Sequence, residues 1–200
     1  MKLLAFTDTH NSKKALKSIV ALSKKHNPDL LICCGDISWF ELNLHAILKS
    51  LAALKKPIIM VNGNHEDDRH LARMSKKFRN IYFIHGSGIS LGDYLFLGYG
   101  GDGFSIVDPY FLKIAKSFEK IIKKNKGKKI ILLTHAPPNR TKLDKLPGGY
   151  CGNKSIRQFI EKHQPAYAFC GHIHENFGRT DRIKRTLVMN PGPFGKIVRL

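Results

Sequence analysis

Leu3-Leu4-Ala5-Phe6 runs directly into Thr7-Asp8-Thr9-His10, and the same pattern of an apolar run closed by a polar cluster returns four more times. Leu30-Leu31-Ile32-Cys33-Cys34 meets Gly35-Asp36, and Ile58-Ile59-Met60-Val61 meets Asn62-Gly63-Asn64-His65-Glu66. Ile130-Ile131-Leu132-Leu133 then meets Thr134-His135, and Ala166-Tyr167-Ala168-Phe169-Cys170 meets Gly171-His172-Ile173-His174. Short β-type runs bounded in this way read as buried strands. If they share one parallel sheet, all five clusters reach its carboxyl edge, where open α/β sheets bind ligands.

Between these runs the first half of the chain alternates strand and helix. Residues 12–26 carry Ala15, Leu16, Ile19, Val20 and Leu22 at near-helical spacing, with Asn11 or Ser12 as cap and Asn27-Pro28 as stop. Glu41 to Leu54 and Asp67 to Phe78 read as two further helices, and this βαβαβ order argues for parallel strands with right-handed crossovers. Ile81 to Ile84 is a short strand, Gly92-Asp93 marks a hairpin, and Gly98 to Gly103 reads as a loop. Helices follow over Pro109 to Lys124 and Lys154 to His163, the latter capped by Asn153, and two short strands flank Asn190-Pro191-Gly192-Pro193. A mixed sheet, or two sheets packed together with helices outside, fits this order best.

Composition narrows the class. The 200 residues suit one domain spanning 1–200, long enough to bury roughly two-thirds of the unfolded surface. No apolar stretch approaches the roughly 20 residues that span a bilayer, and Asp8 interrupts the first run too early for a secretory leader. Cys33 and Cys34 are adjacent in an apolar run and no C-x-x-C spacing occurs, so a disulfide framework or zinc-thiolate site is not expected. These features point to a reducing, cytoplasmic setting without a membrane partner. With 34 Lys+Arg against 15 Asp+Glu, the formal charge of +19 attracts phosphorylated ligands and, non-specifically, nucleic acid. The densest basic run, residues 123–129, falls where a helix should end and a strand begin, so it reads first as a helix C-terminus and turn.

Two Asp, one Asn and four His on one rim are the ligands that two divalent metals sharing a carboxylate require. D-x-H on an extended segment would point Asp8 and His10 to one face. Glycines before Asp36, Asn64 and His172 permit tight turns and close approach at the strand ends.

In order, D-x-H at Asp8 and His10, G-D at Gly35-Asp36, G-N-H-E at Gly63 to Glu66, His135, and G-H-x-H at Gly171 to His174 resemble the calcineurin-like metallophosphoesterases. The resemblance runs from residue 8 to residue 174 and implies an α/β fold of two packed mixed β-sheets flanked by α-helices. It implies that Asp8, His10 and His174 hold one metal, Asn64, His135 and His172 the other, and Asp36 bridges them. The implied cofactors are two divalent ions, Mn first, with Fe, Zn, Ni or Co compatible with the same donors. The implied reaction is attack of a metal-bridging hydroxide on a phosphoric ester, with His65 protonating or stabilising the leaving oxygen. Glu66 reads as a supporting or helix N-terminal charge, and Arg69, Arg140, Lys142 and Asn153 are candidates for holding substrate.

Protein Ser/Thr phosphatases of this family follow the first G-D with an Arg, whereas this chain reads Ile37-Ser38-Trp39-Phe40. The segments His135-Ala136-Pro137-Pro138, Gly148-Gly149-Tyr150, Gly152-Asn153-Lys154-Ser155 and Asn190-Pro191-Gly192 look like the phosphoesterases related to the bacterial cyclic-nucleotide phosphodiesterase Icc. That likeness implies phosphodiesterase action on a small phosphodiester, such as a 2′,3′- or 3′,5′-cyclic nucleotide. Two alternatives stand beside it: a phosphomonoesterase acting on nucleotides or small metabolites, and a non-catalytic nucleic-acid-binding or scaffold protein using the basic charge.

Overall fold

The computed structural model describes residues 1–200 except Asp102 and Phe104. In chain order the elements begin with β1 (Lys2–Phe6), α1 (Lys13–His26), β2 (Leu30–Cys33), α2 (Leu44–Ala52), β3 (Ile58–Met60), α3 (Asp68–Ser75) and β4 (Ile81–Phe83). They continue with β5 (Ser87–Leu91), β6 (Tyr94–Tyr99), α4 (Pro109–Lys124), β7 (Lys129–Thr134), β8 (Lys145–Leu146) and β9 (Gly149–Tyr150). The last are α5 (Lys154–His163), β10 (Tyr167–Phe169), a 3₁₀ turn at His174–Asn176, β11 (Thr180–Ile183), β12 (Thr186–Met189) and β13 (Lys196–Arg199).

The five apolar runs do not share one sheet. β1, β2 and β3 lie in a five-stranded sheet of order β13-β1-β2-β3-β4, whereas β7 and β10 lie in a six-stranded sheet of order β11-β12-β10-β7-β6-β5. Both are mixed, because β13, β11 and β5 pair antiparallel to their neighbours while the remaining pairs run parallel. Each sheet is apolar on both faces, so a single layer could not bury it.

Strand alternation sorts the side chains into three cores. Leu3, Ala5, Leu30, Ile32, Ile59 and Val61 meet Phe96, Ile131, Leu133 and Phe169 between the sheets. The intervening residues Leu4, Phe6, Leu31, Cys33, Ile58 and Met60 turn to the other side, against Ile19 of α1, Leu48 of α2 and Leu71 of α3. On the far side of the second sheet, Leu95, Leu97 and Leu132 pack on Phe111 and Phe118 of α4 and Phe159 of α5. The result is four layers, helices–sheet–sheet–helices.

Helix ends follow their capping chemistry. Ser12 accepts from the Ala15 N–H, Asp108 from Phe111 and Asn153 from Ile156, each satisfying an orphan donor of the first turn. Asn27 closes α1 in the left-handed conformation at φ 44°. α2 starts later than the Glu41 onset its periodicity suggests, because Phe40, Glu41 and Asn43 sit at positive φ in a turn. α3 likewise ends at Ser75, and β6 carries the chain through Tyr99 before the glycine loop, of which Asp102 lies outside the described residues.

Candidate metal centre

The carboxyl ends of β1, β2 and β3 in one sheet abut those of β7 and β10 in the other, and the polar clusters converge there. Asp8 and His10 do not lie on an extended segment as the sequence suggested. Asp8, His10, Asp36 and His172 all take positive φ, at 51°, 42°, 51° and 69°. Asp, Asn and His enter this region at lower cost than other non-glycine residues, which suits short donors on tight turns.

Close approach of backbone explains two of the glycines. A Cβ on Gly63 would lie 1.9 Å from Asp36 Oδ1, and one on Gly171 would lie 2.3 Å from Asp8 Oδ2 and 2.1 Å from Thr7 Oγ1. Both carboxylates are therefore packed directly on glycine Cα atoms.

The two carboxylates are buried and fixed by N–H and O–H donors. Asp36 Oδ1 accepts from the His65 N–H at 2.9 Å. Asp8 Oδ2 accepts from the Thr7 hydroxyl at 2.6 Å and from the His172 N–H at 3.0 Å. Beneath them Glu66, buried, accepts from the backbone N–H groups of Asp36, Gly63 and Ser38 and from the Ser38 hydroxyl. Burial, then the nearby Asp36 charge, push its carboxyl above the usual range despite those donors.

Around this base the imidazoles form two groups. His10 Nε2 and His174 Nε2 face each other at 3.2 Å, and they lie 3.9 and 3.5 Å from Asp8 Oδ1. On the other side, Asn64 Oδ1 lies 3.0 Å from both His135 Nε2 and His172 Nδ1, and His135 Nε2 lies 3.4 Å from Asp36 Oδ2. Asp36 Oδ2 is also 3.7 Å from His10 Nε2, so this carboxylate reaches both groups. Each of the sets Asp8–His10–His174, His10–Asp36–His65 and Asp8–Asp36–His135 places its donor atoms within 4.8 Å of one another. All seven residues expected from the sequence thus meet at one centre.

His135 tests whether a cation fits. Its Nδ1 lies 2.8 Å from the Cys34 carbonyl, a pure acceptor, so Nδ1 carries hydrogen and Nε2 is left to serve the site. That Nε2 faces Asp36 Oδ2 and Asn64 Oδ1, both acceptors as well. Burial opposes a charged ring, but the bond to Asp36 and the charges of Asp8 and Asp36 outweigh it, raising the His135 pKa to about 9. The same contacts hold the Asp36 carboxyl below its usual range against burial. A proton therefore stands where a metal ion would bond, and a ring pinned through Nδ1 by a carbonyl is the usual support of a metal-binding histidine. His172, by contrast, is driven down to about 4 by burial and by the neighbouring His135 charge, which leaves its ring neutral.

Two expectations shift in detail. His65, assigned to proton transfer and not to metal, comes within 3.9 Å of Asp36 Oδ2 and so is placed where it could also ligate. Asn153 is buried, with its Oδ1 engaged as the cap of α5, and burial withholds it from substrate. Its loop is organised by buried Asp144, which accepts from the N–H groups of Arg140, Thr141 and Gly152. Arg69, Arg140 and Lys142 have no side-chain contact with the seven residues among the described hydrogen bonds and ion pairs. What sequence reasoning missed is Trp39, whose indole stacks on His10 with centroids 4.1 Å apart. Its signal was the adjacent aromatic pair Trp39-Phe40, two residues beyond Gly35-Asp36.

A calcineurin-like phosphoesterase profile matches residues 1–176, and the chain belongs to that family, whose members are phosphoric ester hydrolases built on a dinuclear divalent-metal site. No curated protein sequence matches the chain. Among solved structures, a protein of Thermus thermophilus aligns with a TM-score of 0.79 at 17% identity, over 96% of this chain and 89% of that one. A dimetal phosphatase from Danio rerio aligns at TM-score 0.67 and 10% identity, over 94% and 86%. An archaeal phosphodiesterase aligns at TM-score 0.57 and 17% identity, over 96% and 84%. At these identities the likeness establishes the shared fold.

Proposed function

We propose that this protein is a phosphodiesterase that hydrolyses a small phosphodiester, with cyclic nucleotides the first candidates. The observation that carries the diester reading is Trp39. The segment after Asp36 borders the site with an indole on His10 rather than with a cation. A diester brings one negative charge fewer than a monoester and depends less on a guanidinium clamp. The archaeal relative is itself described as a phosphodiesterase, and the Danio rerio one as a phosphatase, so the fold admits both substrates.

In this reading Asp8, His10 and His174 would hold one cation, Asn64, His135 and His172 the other, and Asp36 would serve both. Two divalent cations bound there, Mn²⁺ first, would supply water of lowered pKa and charge to neutralise phosphoryl oxygens. The chain supplies the rest. Asp8 and Asp36 are held by N–H donors and by Thr7 before any substrate arrives, so the site is preorganised for charge that develops during reaction. His65, whose backbone N–H anchors Asp36, stands at the rim with its ring against Trp39 and Phe40, and it donates a proton to the departing oxygen.

Turnover of bis-p-nitrophenyl phosphate against p-nitrophenyl phosphate by Mn²⁺-loaded protein tests the reading. A diester preference lost in Asp36→Ala supports it, and His65→Ala should keep its metal while losing turnover. Monoester preference would move the assignment to a phosphatase. No turnover, with tight salt-sensitive binding of RNA or DNA, would move it to a binding protein.

A further inference from the structure

Three large apolar side chains stand exposed within four consecutive positions at the edge of the metal centre: Trp39 at 45%, Phe40 at 76% and Leu42 at 61%. They belong to the connection between β2 and α2. Trp39 lies flat on His10 with an interplanar angle of 24°, and Phe40 meets the His65 ring edge-on at 4.5 Å. The two aromatic rings are 6.4 Å apart, centroid to centroid.

The loop is held firmly without being covered. Asn11 accepts from the Trp39 N–H at 2.6 Å and donates to the Leu42 carbonyl at 2.7 Å, clamping both ends of the turn. Glu41 accepts from the Asp67 N–H at 3.1 Å and pairs with His70 Nδ1 at 2.7 Å, tying the other flank to α3. Phe40 and Glu41 nevertheless take φ of 44° and 65°. A bulky side chain in that region costs on the order of 1–3 kcal/mol and persists only where surroundings impose it. Polar contacts thus hold the exposed Phe40 ring and the half-exposed Trp39 indole beside the donors of the metal centre, at an expense in backbone strain. Neither ring belongs to any of the three hydrophobic cores.

We infer that Trp39 and Phe40 form a stacking platform for the planar ring of a nucleoside carried by the phosphodiester substrate. This rests on the phosphodiesterase reading and specifies its substrate class. A ring laid on the platform lies within a side chain's length of His10 and His65, the distance at which an attached phosphate reaches the metal centre. Flat π-faces accept any nucleobase, so the platform selects for a base without selecting which one. The +19 charge of the chain draws in the phosphate.

The test holds the leaving group constant. Wild-type protein is given thymidine 5′-(p-nitrophenyl phosphate) and methyl p-nitrophenyl phosphate, and the ratio of the two kcat/KM values is read. One base stacked on an aromatic side chain corresponds to about 5- to 160-fold in binding. The ratio should therefore exceed about tenfold, fall at least about fivefold in Phe40→Ser, and return in Phe40→Tyr. Trp39 is the single tryptophan, so its fluorescence gives a second readout independent of turnover. AMP should quench it saturably, ribose 5-phosphate should not, and Phe40→Ser should weaken the AMP response. A ratio near one, or equal responses to AMP and ribose 5-phosphate, overturns the platform. If neither ester is cleaved while AMP alone quenches, the phosphodiesterase reading fails and the platform stands. If Phe40→Ser leaves the ratio intact but dissociates an oligomer, the patch is a contact between copies of this chain and the platform is overturned.

Discussion

Gly63→Ala isolates the position of Asp36 from every other property of the site. Gly63 does not adopt a positive φ, so alanine fits its backbone conformation and the perturbation is purely steric. The added Cβ would lie 1.9 Å from Asp36 Oδ1, 2.4 Å from its Cγ and 2.5 Å from its backbone N. Restoring ordinary contact, which begins near 3.4 Å, requires a displacement of about 1.5 Å. Neither partner yields readily, since Asp36 Oδ1 is bonded to the His65 N–H and the N–H groups of Asp36 and Gly63 share one Glu66 oxygen. Overpacking of this kind costs about 1–3 kcal/mol of stability. The functional cost should be far larger, because metal sites tolerate about 0.2 Å in ligand distance and a misplacement of about 1 Å lowers rates by about a hundredfold.

The expected variant is folded, with a Tm lower by a few degrees, and retains less than half the bound metal after gel filtration. Its kcat/KM should fall by at least about a hundredfold. Metal content by plasma mass spectrometry, a thermal melt and diester turnover read the three quantities separately. Full metal occupancy with turnover within about threefold of wild type would refute the reasoning, for it would mean that Asp36 does not sit between the two cations.

Two further outcomes follow from the same geometry. With His135 near pKa 9, a cation entering at Nε2 must displace a proton, so affinity should rise about tenfold per pH unit between pH 6.5 and 8.5 and level off above 9; His174, raised by its bond to Asp8, steepens the lower part. Calorimetry in two buffers at pH 7.5 should find about one proton released per protein or more, and none released would sink the assignment of His135. Glu66→Gln turns its amide nitrogen either on the N–H groups of Asp36 and Gly63 or, with the Ser38 hydroxyl rotated to accept from it, on the Ser38 N–H alone, so at least one donor faces a donor at about 1–3 kcal/mol, against a smaller gain from removing a buried charge. Urea denaturation at pH 7 should show a net loss of about 1–2 kcal/mol, and a midpoint equal to wild type would show that these four contacts to Glu66 are not needed. Since the Glu66 carboxyl is raised in the fold, the stability of wild type relative to the glutamine variant should improve as pH falls through that raised value.

Much of this centre was legible because its signals are local. An apolar run and the polar cluster that closes it are contiguous in sequence, so Asp8, Asp36, Asn64, His135 and His172 could be placed at strand ends from pattern alone. The division into two sheets was not legible in the same way. β6 pairs with β7 and β7 with β10 through parallel registers that only packing decides, and nothing in the runs themselves distinguishes β3 from β7. The geometry of D-x-H differs from its extended expectation because period-two alternation stops at the end of β1, where the chain turns left-handed at both donors. The onset of α2 shifts for a related reason: Glu41 fits the helical period, but its carboxylate is committed to Asp67 and His70 and its backbone to a turn.

The ring of His135 links the fold to the chemistry. Both its nitrogens face oxygen acceptors, so the protein without metal must supply a proton there, and the buried Asp8 and Asp36 charges are balanced by it. A divalent ion would take over that electrostatic duty from the same position. The carboxylates would keep their places, because backbone N–H groups of His65 and His172 hold them independently of any cation. Those two N–H groups belong to the clusters after β3 and β10, one from each sheet, so Asp36 is fixed within the first sheet's rim and Asp8 is fixed across to the second. The geometry of the metal centre is therefore a consequence of how the two sheets meet. Ligand positions are set when the sheets pack, and exchange of a proton for a metal changes the charge of the centre more than its shape.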